Sequence, residues 1–150
     1  HGVLVEGLDN CLVKFSRCCS PVPGDDIVGF ITRGYGVSVH RKDCPNYRAS
    51  LQKEEESGRW IPVTWAENIT DSYVTSLFIS SRERSGLVID LATVLAGQNA
   101  KIRSLSARDT GDGSSTATVS LEVRSLAELQ NIINKISAIH GVSAVTRFGG

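Results

Sequence analysis

Apolar and polar residues alternate with a period of two along the first third of the chain, the period of strands with one buried face. Four short stretches carry it: Val3-Leu4-Val5, Cys11 to Phe15, Ile27 to Ile31, and Gly36 to His40. In the second of these, Cys11, Val13 and Phe15 share a face, which reads as a core position for Cys11 rather than a ligand position. Arg33-Gly34-Tyr35-Gly36 joins the last two stretches, and its glycines suit a tight hairpin. A short helix is expected from Pro45 to about Leu51, and Lys53 to Gly58 reads as an exposed acidic loop or helix end. Trp60 to Trp65 then alternates as a strand with Ile61, Val63 and Trp65 on one side. Pro62 lacks the amide proton that a ladder needs, so this strand is predicted at an edge. Both tryptophans are expected as buried anchors, with base stacking as the other use of such rings.

Beyond residue 72 the periods of two and 3.6 take turns. Tyr73 to Ile79 is β-rich, and Glu83 to Gly86 a turn. Leu87, Ile89, Leu91, Val94 and Leu95 then recur at helical spacing as far as Gly97. Lys101 to Ala107 reads as a strand, Thr110 to Ser114 as a hairpin turn, and Thr116 to Val123 as a strand with Ala117, Val119, Leu121 and Val123 aligned. Ser125 with Glu128 forms a capping box ahead of a stripe of Leu126, Leu129, Ile132, Ile133 and Ile136. Gly141 ends that segment, and Val142 to Phe148 is the last strand. The order βαββαβ is that of the ferredoxin-like split βαβ. The expected class is α+β: a small β-rich domain over residues 1–66, then a ferredoxin-like βαββαβ domain over 73–150, joined around 66–72.

Composition adds three constraints. With 150 residues and 41% hydrophobic content, the chain can bury a core. Its 16 basic and 16 acidic residues give no global field for nucleic acid or membrane, so any such contact must come from a local patch. No apolar run approaches the ~20 residues of a membrane span, and no secretory signal is visible, so a soluble cytoplasmic protein is expected. The chain opens on His1-Gly2 and contains no methionine, the pattern expected of a piece from a longer protein.

The candidate chemistry lies between Cys18 and Cys44. Cys18, Cys19, His40 and Cys44 supply three thiols and an imidazole, the ligand set of a closed structural zinc site, and His-x-x-x-Cys is a spacing such sites use. Adjacent strand residues point to opposite faces, so Cys18 and Cys19 can share an ion only where the chain stops being extended. The Pro21-Val22-Pro23-Gly24 run is the expected break. Cys44 precedes Pro45 and would stand at a helix N-terminus, where the dipole favours a thiolate. Spacing alone leaves other readings open: reduced core cysteines, a disulfide, or a Cys/His nucleophile pair with Arg17 lowering a thiol pKa.

Three stretches carry a resemblance. Arg17-Cys18-Cys19-Ser20-Pro21-Val22-Pro23-Gly24-Asp25, Ile27-Val28-Gly29-Phe30-Ile31-Thr32-Arg33-Gly34 and Gly36-Val37-Ser38-Val39-His40-Arg41-Lys42-Asp43-Cys44-Pro45-Asn46 resemble the zinc-finger (conserved-cysteine) domain of the long RelA/SpoT-type (p)ppGpp synthetase/hydrolases. The trailing βαββαβ unit is similar to that family's ACT domain. The resemblance implies a regulatory C-terminal region whose catalytic domains, a GTP diphosphokinase and (p)ppGpp pyrophosphohydrolase, lie elsewhere in the parent. It also implies contact with ribosomal RNA and A-site deacylated tRNA, restraint of the catalytic half, and self-association. The metal ligands carry over as Cys18, Cys19, His40 and Cys44, with zinc as the cofactor.

Three thiolates and a neutral imidazole around Zn²⁺ carry a net charge near −1, which Arg17, Arg33, Arg41 and Lys42 stand close enough in sequence to offset. The same cations could serve as solvated surface charges or as an RNA-backbone patch, and Tyr35 beside Arg33 could stack on a base. The expected RNA-binding residues are therefore Arg33, Tyr35, Arg41 and Lys42. ACT domains often bind amino acids where the first strand-to-helix turn meets the second strand. Here that implies Arg84, Ser85, Gly86, Leu87 and Asn99 in an amino-acid sensor that regulates the catalytic half allosterically, and Leu87 with nearby apolar side chains favours a branched-chain amino acid as ligand. The alternative is that Gly86 only permits a turn, Asn99 only caps a helix, and the unit serves docking.

Overall fold

The computed structural model describes residues 2–8, 11–34 and 36–147. The chain divides into two compact units between Asp71 and Ser72.

In the first unit, β1 (Val3–Val5), β2 (Leu12–Phe15), β3 (Ile27–Ile31), β4 (Gly36–Arg41) and β5 (Trp60–Trp65) form one five-stranded sheet in the order β1-β5-β3-β4-β2. Between β4 and β5 lie two short helices, α1 (Pro45–Ser50) and α2 (Glu54–Ser57), so the acidic stretch is a helical turn. One sheet face buries Val3, Ile27, Val37, Val39 and Val63, with Cys11, Val13, Phe15, Ile61 and Trp65 packed around them. Cys11 is thus a core-edge residue. Gly29 sits where the face is most crowded: a Cβ there would lie 2.7 Å from Val37 Cγ1 and 2.8 Å from Val63 Cγ1.

The other face carries aromatic rings. Trp60 packs 4.7 Å from Phe30 and 4.7 Å from Tyr47 of α1, centroid to centroid. Both indoles are anchored: Trp60 Nε1 donates to Ser50 Oγ at 3.0 Å and Trp65 Nε1 to the Asp25 carbonyl at 3.0 Å.

The edge assignment of β5 needs correction, because β5 lies inside the sheet between β1 and β3. Pro62 is tolerated there for a local reason. It faces Val28 of β3, while β1 stops at Val5, whose partner is Val63, so Pro62 lies one residue beyond the reach of the β1 ladder. An antiparallel strand directs alternate amides to opposite neighbours, and the Ile31 N–H to Arg59 carbonyl bond sets which residues face β3. By that alternation the missing N–H of Pro62 points to the side where no strand remains.

The second unit is the ferredoxin-like βαββαβ. Its strands β6 (Tyr73–Arg82), β7 (Lys101–Asp109), β8 (Ser114–Val123) and β9 (Val142–Arg147) form an antiparallel sheet ordered β7-β8-β6-β9. The helices α3 (Leu87–Ala96) and α4 (Leu126–Ser137) fill the two crossovers. Leu77, Ile79, Val119 and Leu121 of the sheet are buried together with Leu91, Leu95, Leu129, Ile132 and Ile136 of the helices. The Ser125 hydroxyl accepts the Glu128 amide at 3.1 Å, while the Glu128 carboxylate takes the Arg124 amide rather than that of Ser125, a box displaced by one residue. Ile89 departs from the predicted α3 stripe and is 70% exposed. Among the described residues no helix is long and apolar enough to cross a membrane.

Candidate metal centre

The two cysteines adjacent in sequence reach the histidine because β2 and β4 pair in parallel. Phe15 is opposite Val39 in that register, so the turn that follows β2 emerges beside His40 at the end of β4. The Ser16 amide extends the pairing to the Val39 carbonyl at 2.9 Å. The chain then leaves extended geometry earlier than expected. Arg17 to Cys19 form a turn closed by the Ser20 N–H to Ser16 carbonyl bond at 2.9 Å, and Ser20 takes a left-handed φ of 46°. The proline run comes after this break, where Pro23-Gly24 forms a second turn and Asp25 accepts the Val22 amide. Cys44 enters from the other side as the residue capping α1, with Pro45 at the first helical position.

The four ligand atoms of Cys18, Cys19, His40 and Cys44 all lie within 4.8 Å of one another. Cys18 Sγ is 3.5 Å from Cys44 Sγ and 3.9 Å from Cys19 Sγ. His40 Nδ1 stands 3.3 Å from Cys18 Sγ and 3.8 Å from Cys19 Sγ. Zinc bonds of about 2.3 Å to sulfur and about 2.0–2.1 Å to nitrogen, set at the tetrahedral angle, give edges of roughly 3.8 Å between sulfurs and roughly 3.6 Å between sulfur and nitrogen. These four edges bracket both values and the other two are no longer than 4.8 Å, so small side-chain shifts suit this donor set to a tetrahedral ion.

The surroundings favour ligation. Cys19 and Cys44 are buried, and Cys18 is half-buried. Burial pushes the Cys19 thiol well up, and the Cys44 and Cys18 sulfurs push the same way against the Arg41 N–H, which reaches Cys19 Sγ at 3.3 Å. Burial also raises Cys18, but hydrogen bonds with Ser16, Asn46, Cys44 and Cys19 outweigh it and leave the thiol below its ordinary value. Burial lowers the His40 pKa and so favours the neutral imidazole, the form that binds metals. The His40 ring lies edge-on to Trp60, 5.2 Å between centroids, which helps fix the ring that presents Nδ1. Ser16 and Trp60 therefore belong to the site, although neither was among the expected residues. The alternation that puts Ile61 on the core face already placed Trp60 on the other.

The predicted cations do not gather in one place. Arg33 is exposed in the hairpin turn before β4, at the opposite end of that strand from the cluster. Five strand steps, about 17 Å, separate Gly36 from Arg41, beyond a Debye length of about 8 Å, so Arg33 does not offset the cluster charge. Lys42 and Arg17 are exposed next to the ligands. Arg41 requires correction as an outward-facing residue. Its side chain is 14% exposed and chelates Asp43, with Nε 2.8 Å from Oδ1 and Nη2 3.2 Å from Oδ2, and its Nη1 is buried without a partner among the described residues. Tyr35 lies outside the described residues.

In the second unit, Arg84, Ser85, Gly86 and Leu87 stand at the N-terminal end of α3, and Asn99 follows its C-terminal end. Ten helical residues span about 15 Å, longer than a branched-chain amino acid, so these residues do not form one site within a chain. The Arg84 guanidinium is also committed: it donates to the His140 and Ser85 carbonyls, each at 2.7 Å, and pairs with Asp90. A groove of about 310 Å³ remains beside Gly86, Leu87, Val88, Ala107 and Arg108.

The model of the RelA/SpoT RIS domain matches residues 3–66, and that of the ACT domain matches residues 70–147. The chain belongs to the RelA/SpoT family. It is 37% identical over 146 residues to a GTP pyrophosphokinase of Streptomyces coelicolor, covering 97% of this chain and 17% of that protein. It is 38% identical to the bifunctional (p)ppGpp synthase/hydrolase RelA of Mycobacterium tuberculosis, covering 97% and 19% respectively. The GTP pyrophosphokinase of Escherichia coli is 34% identical over 149 residues, or 99% and 20%. The chain thus spans about a fifth of the length of these RelA/SpoT relatives, and corresponds to their regulatory region, with the metal-competent cluster inside the RIS domain.

Proposed function

We propose that this RelA/SpoT region holds one structural zinc ion on Cys18, Cys19, His40 and Cys44, and senses ribosomes carrying deacylated tRNA on behalf of (p)ppGpp-synthesising and -hydrolysing domains outside the chain. The observation that carries the metal assignment is the convergence of four ligand atoms within 4.8 Å of one another. When bound, the ion supplies no chemistry beyond cross-linking. It ties the β2 turn, the end of β4 and the start of α1 into one rigid surface. Family membership supports the regulatory role. Lys42 and Arg17, exposed beside the cluster, supply phosphate contacts, and Arg33 supplies a separate one at the far end of β4.

Two measurements test this reading. Plasma mass spectrometry of the purified chain is expected to find one zinc per chain. Ribosome association of the full-length protein across a salt series is expected to weaken in Lys42→Glu and in Arg33→Glu, each lowering the salt slope by about one phosphate contact. Unchanged binding in both variants would make these residues ordinary solvated charges. The groove beside Gly86 supports a second, narrower reading, an amino-acid site built without Asn99. Calorimetry with valine, isoleucine and leucine is then expected to give the same heat in Asn99→Ala. No heat at millimolar ligand leaves the ACT unit as a docking surface.

A further inference from the structure

The four ligands of the RIS-domain cluster are unequal in one respect that bears on reactivity. Cys19 and Cys44 are 2% and 0% exposed, whereas Cys18 is half-buried and so the one cysteine of the cluster with a share of solvent exposure. Its sulfur lies 3.5 Å from Cys44 Sγ, near enough for a bond after a small rotation of either side chain. Cys19 is the poorer partner. Consecutive Cα atoms are about 3.8 Å apart, below the ~4.4–6.8 Å that a disulfide ordinarily spans. The Ser16 hydroxyl lies 3.0 Å from Cys18 Sγ and donates to it when Cys18 is a thiolate, drawing electron density from the sulfur.

We propose that Cys18 is a hydroperoxide-reactive thiolate and Cys44 its resolving partner, so that a peroxide converts the cluster into a Cys18–Cys44 disulfide and releases the metal. The proposal rests on the zinc reading above. In the first step the Cys18 sulfur attacks one peroxide oxygen and the O–O bond breaks. The departing oxygen takes a proton and leaves as alcohol or water, and Cys18 becomes a sulfenic acid. In the second, the Cys44 thiolate attacks that sulfur, the S–O bond breaks, and the departing hydroxide takes a proton and leaves as water. Two thiolates supply two electrons, the peroxide is reduced, and two protons are consumed. Cys19 and His40 are then the ligands left, two short of the four that a closed structural site needs. Because metal binding in a small site is folding free energy, oxidation would loosen the whole RIS domain.

The experiment uses the zinc-loaded chain carrying Cys11→Ser, which removes the thiol outside the cluster. Zinc content is measured first. Hydrogen peroxide is then titrated in, with zinc release followed by a chromogenic chelator and cysteine pairing by fragmentation of tryptic peptides. Zinc is expected to leave in step with the Cys18–Cys44 disulfide, and dithiothreitol with added zinc is expected to restore the starting state. Ser16→Ala removes no ligand and, with rates compared per bound zinc, is expected to oxidise about fivefold faster, the rate equivalent of one hydrogen bond. A chain without zinc at the outset defeats the metal reading and the release with it. A zinc-loaded chain that keeps its metal under peroxide, or that pairs Cys18 with Cys19, overturns this proposal and leaves the metal reading intact.

Discussion

Cys19→Ser is the most informative single change. Cys19 is 2% exposed, accepts the Arg41 amide at 3.3 Å, and sits 3.8 Å from His40 Nδ1, so its sulfur is both a candidate ligand and a node in the buried network. Structural zinc sites contribute about 10–16 kcal/mol in zinc-finger peptides, so one of four ligands accounts for roughly 3–4 kcal/mol, or about 10²–10³ in metal affinity. A single core in a domain of this size rarely supplies more than about 3–5 kcal/mol. That is close to what the substitution removes, and among the described residues the first unit's main cluster buries only Val3, Ile27, Val37, Val39 and Val63. The variant is therefore expected to lose zinc and unfold the RIS unit while the ACT unit stays folded. Both tryptophans of the chain, Trp60 and Trp65, lie in the RIS unit, so their emission reports that unit alone and far-UV circular dichroism reports the remainder. Cys11→Ser is the control, a core-edge change with metal retained. Full zinc content in Cys19→Ser, or equal loss in Cys11→Ser, would refute the ligand assignment.

Gly29→Ala is expected to destabilise the RIS unit by about 1–3 kcal/mol, read as a lower urea midpoint of tryptophan emission, because the new methyl would meet Val37 and Val63 below 3 Å. Ile132→Ala, at a fully buried position of α4, is expected to cost the ACT unit about 2–5 kcal/mol without changing zinc content. Glu122 is held below the ordinary carboxylate range by the Ser72 hydroxyl and then by Arg103 and Lys101. A carboxylate depressed by folding stabilises the fold above its unfolded value of 4.5 and loses that contribution as pH falls through its folded value. Urea midpoints of the ACT unit measured down to about pH 3 are expected to fall less steeply in Glu122→Gln, and an identical slope would remove Glu122 from the acid response.

Local pattern was enough for much of the fold. Alternation put Cys11, Val13 and Phe15 on the core face, and Ile61, Val63 and Trp65 with them, because a pleated strand exposes one side per residue whatever its neighbours are. The stripe on α4 and the Ser125 cap were equally legible, since both depend on residues three or four apart. Residue chemistry alone also nominated the three thiols and one imidazole. What brings them to one point is the parallel pairing of β2 with β4, a contact between residues more than twenty positions apart that no local period encodes. The same nonlocal decisions account for the failures. Pro62 looked like an edge residue because its missing amide is local, while the place where β1 stops is not. Arg41 looked like a surface cation until its pairing with Asp43 and its 14% exposure were seen, and Gly86 and Asn99 looked like neighbours until α3, ten residues and about 15 Å long, came between them. Sequence determined which side chains could ligate, cap or pack, but only tertiary pairing decided which of them meet, because strand order and register are set by contacts made across the sheet.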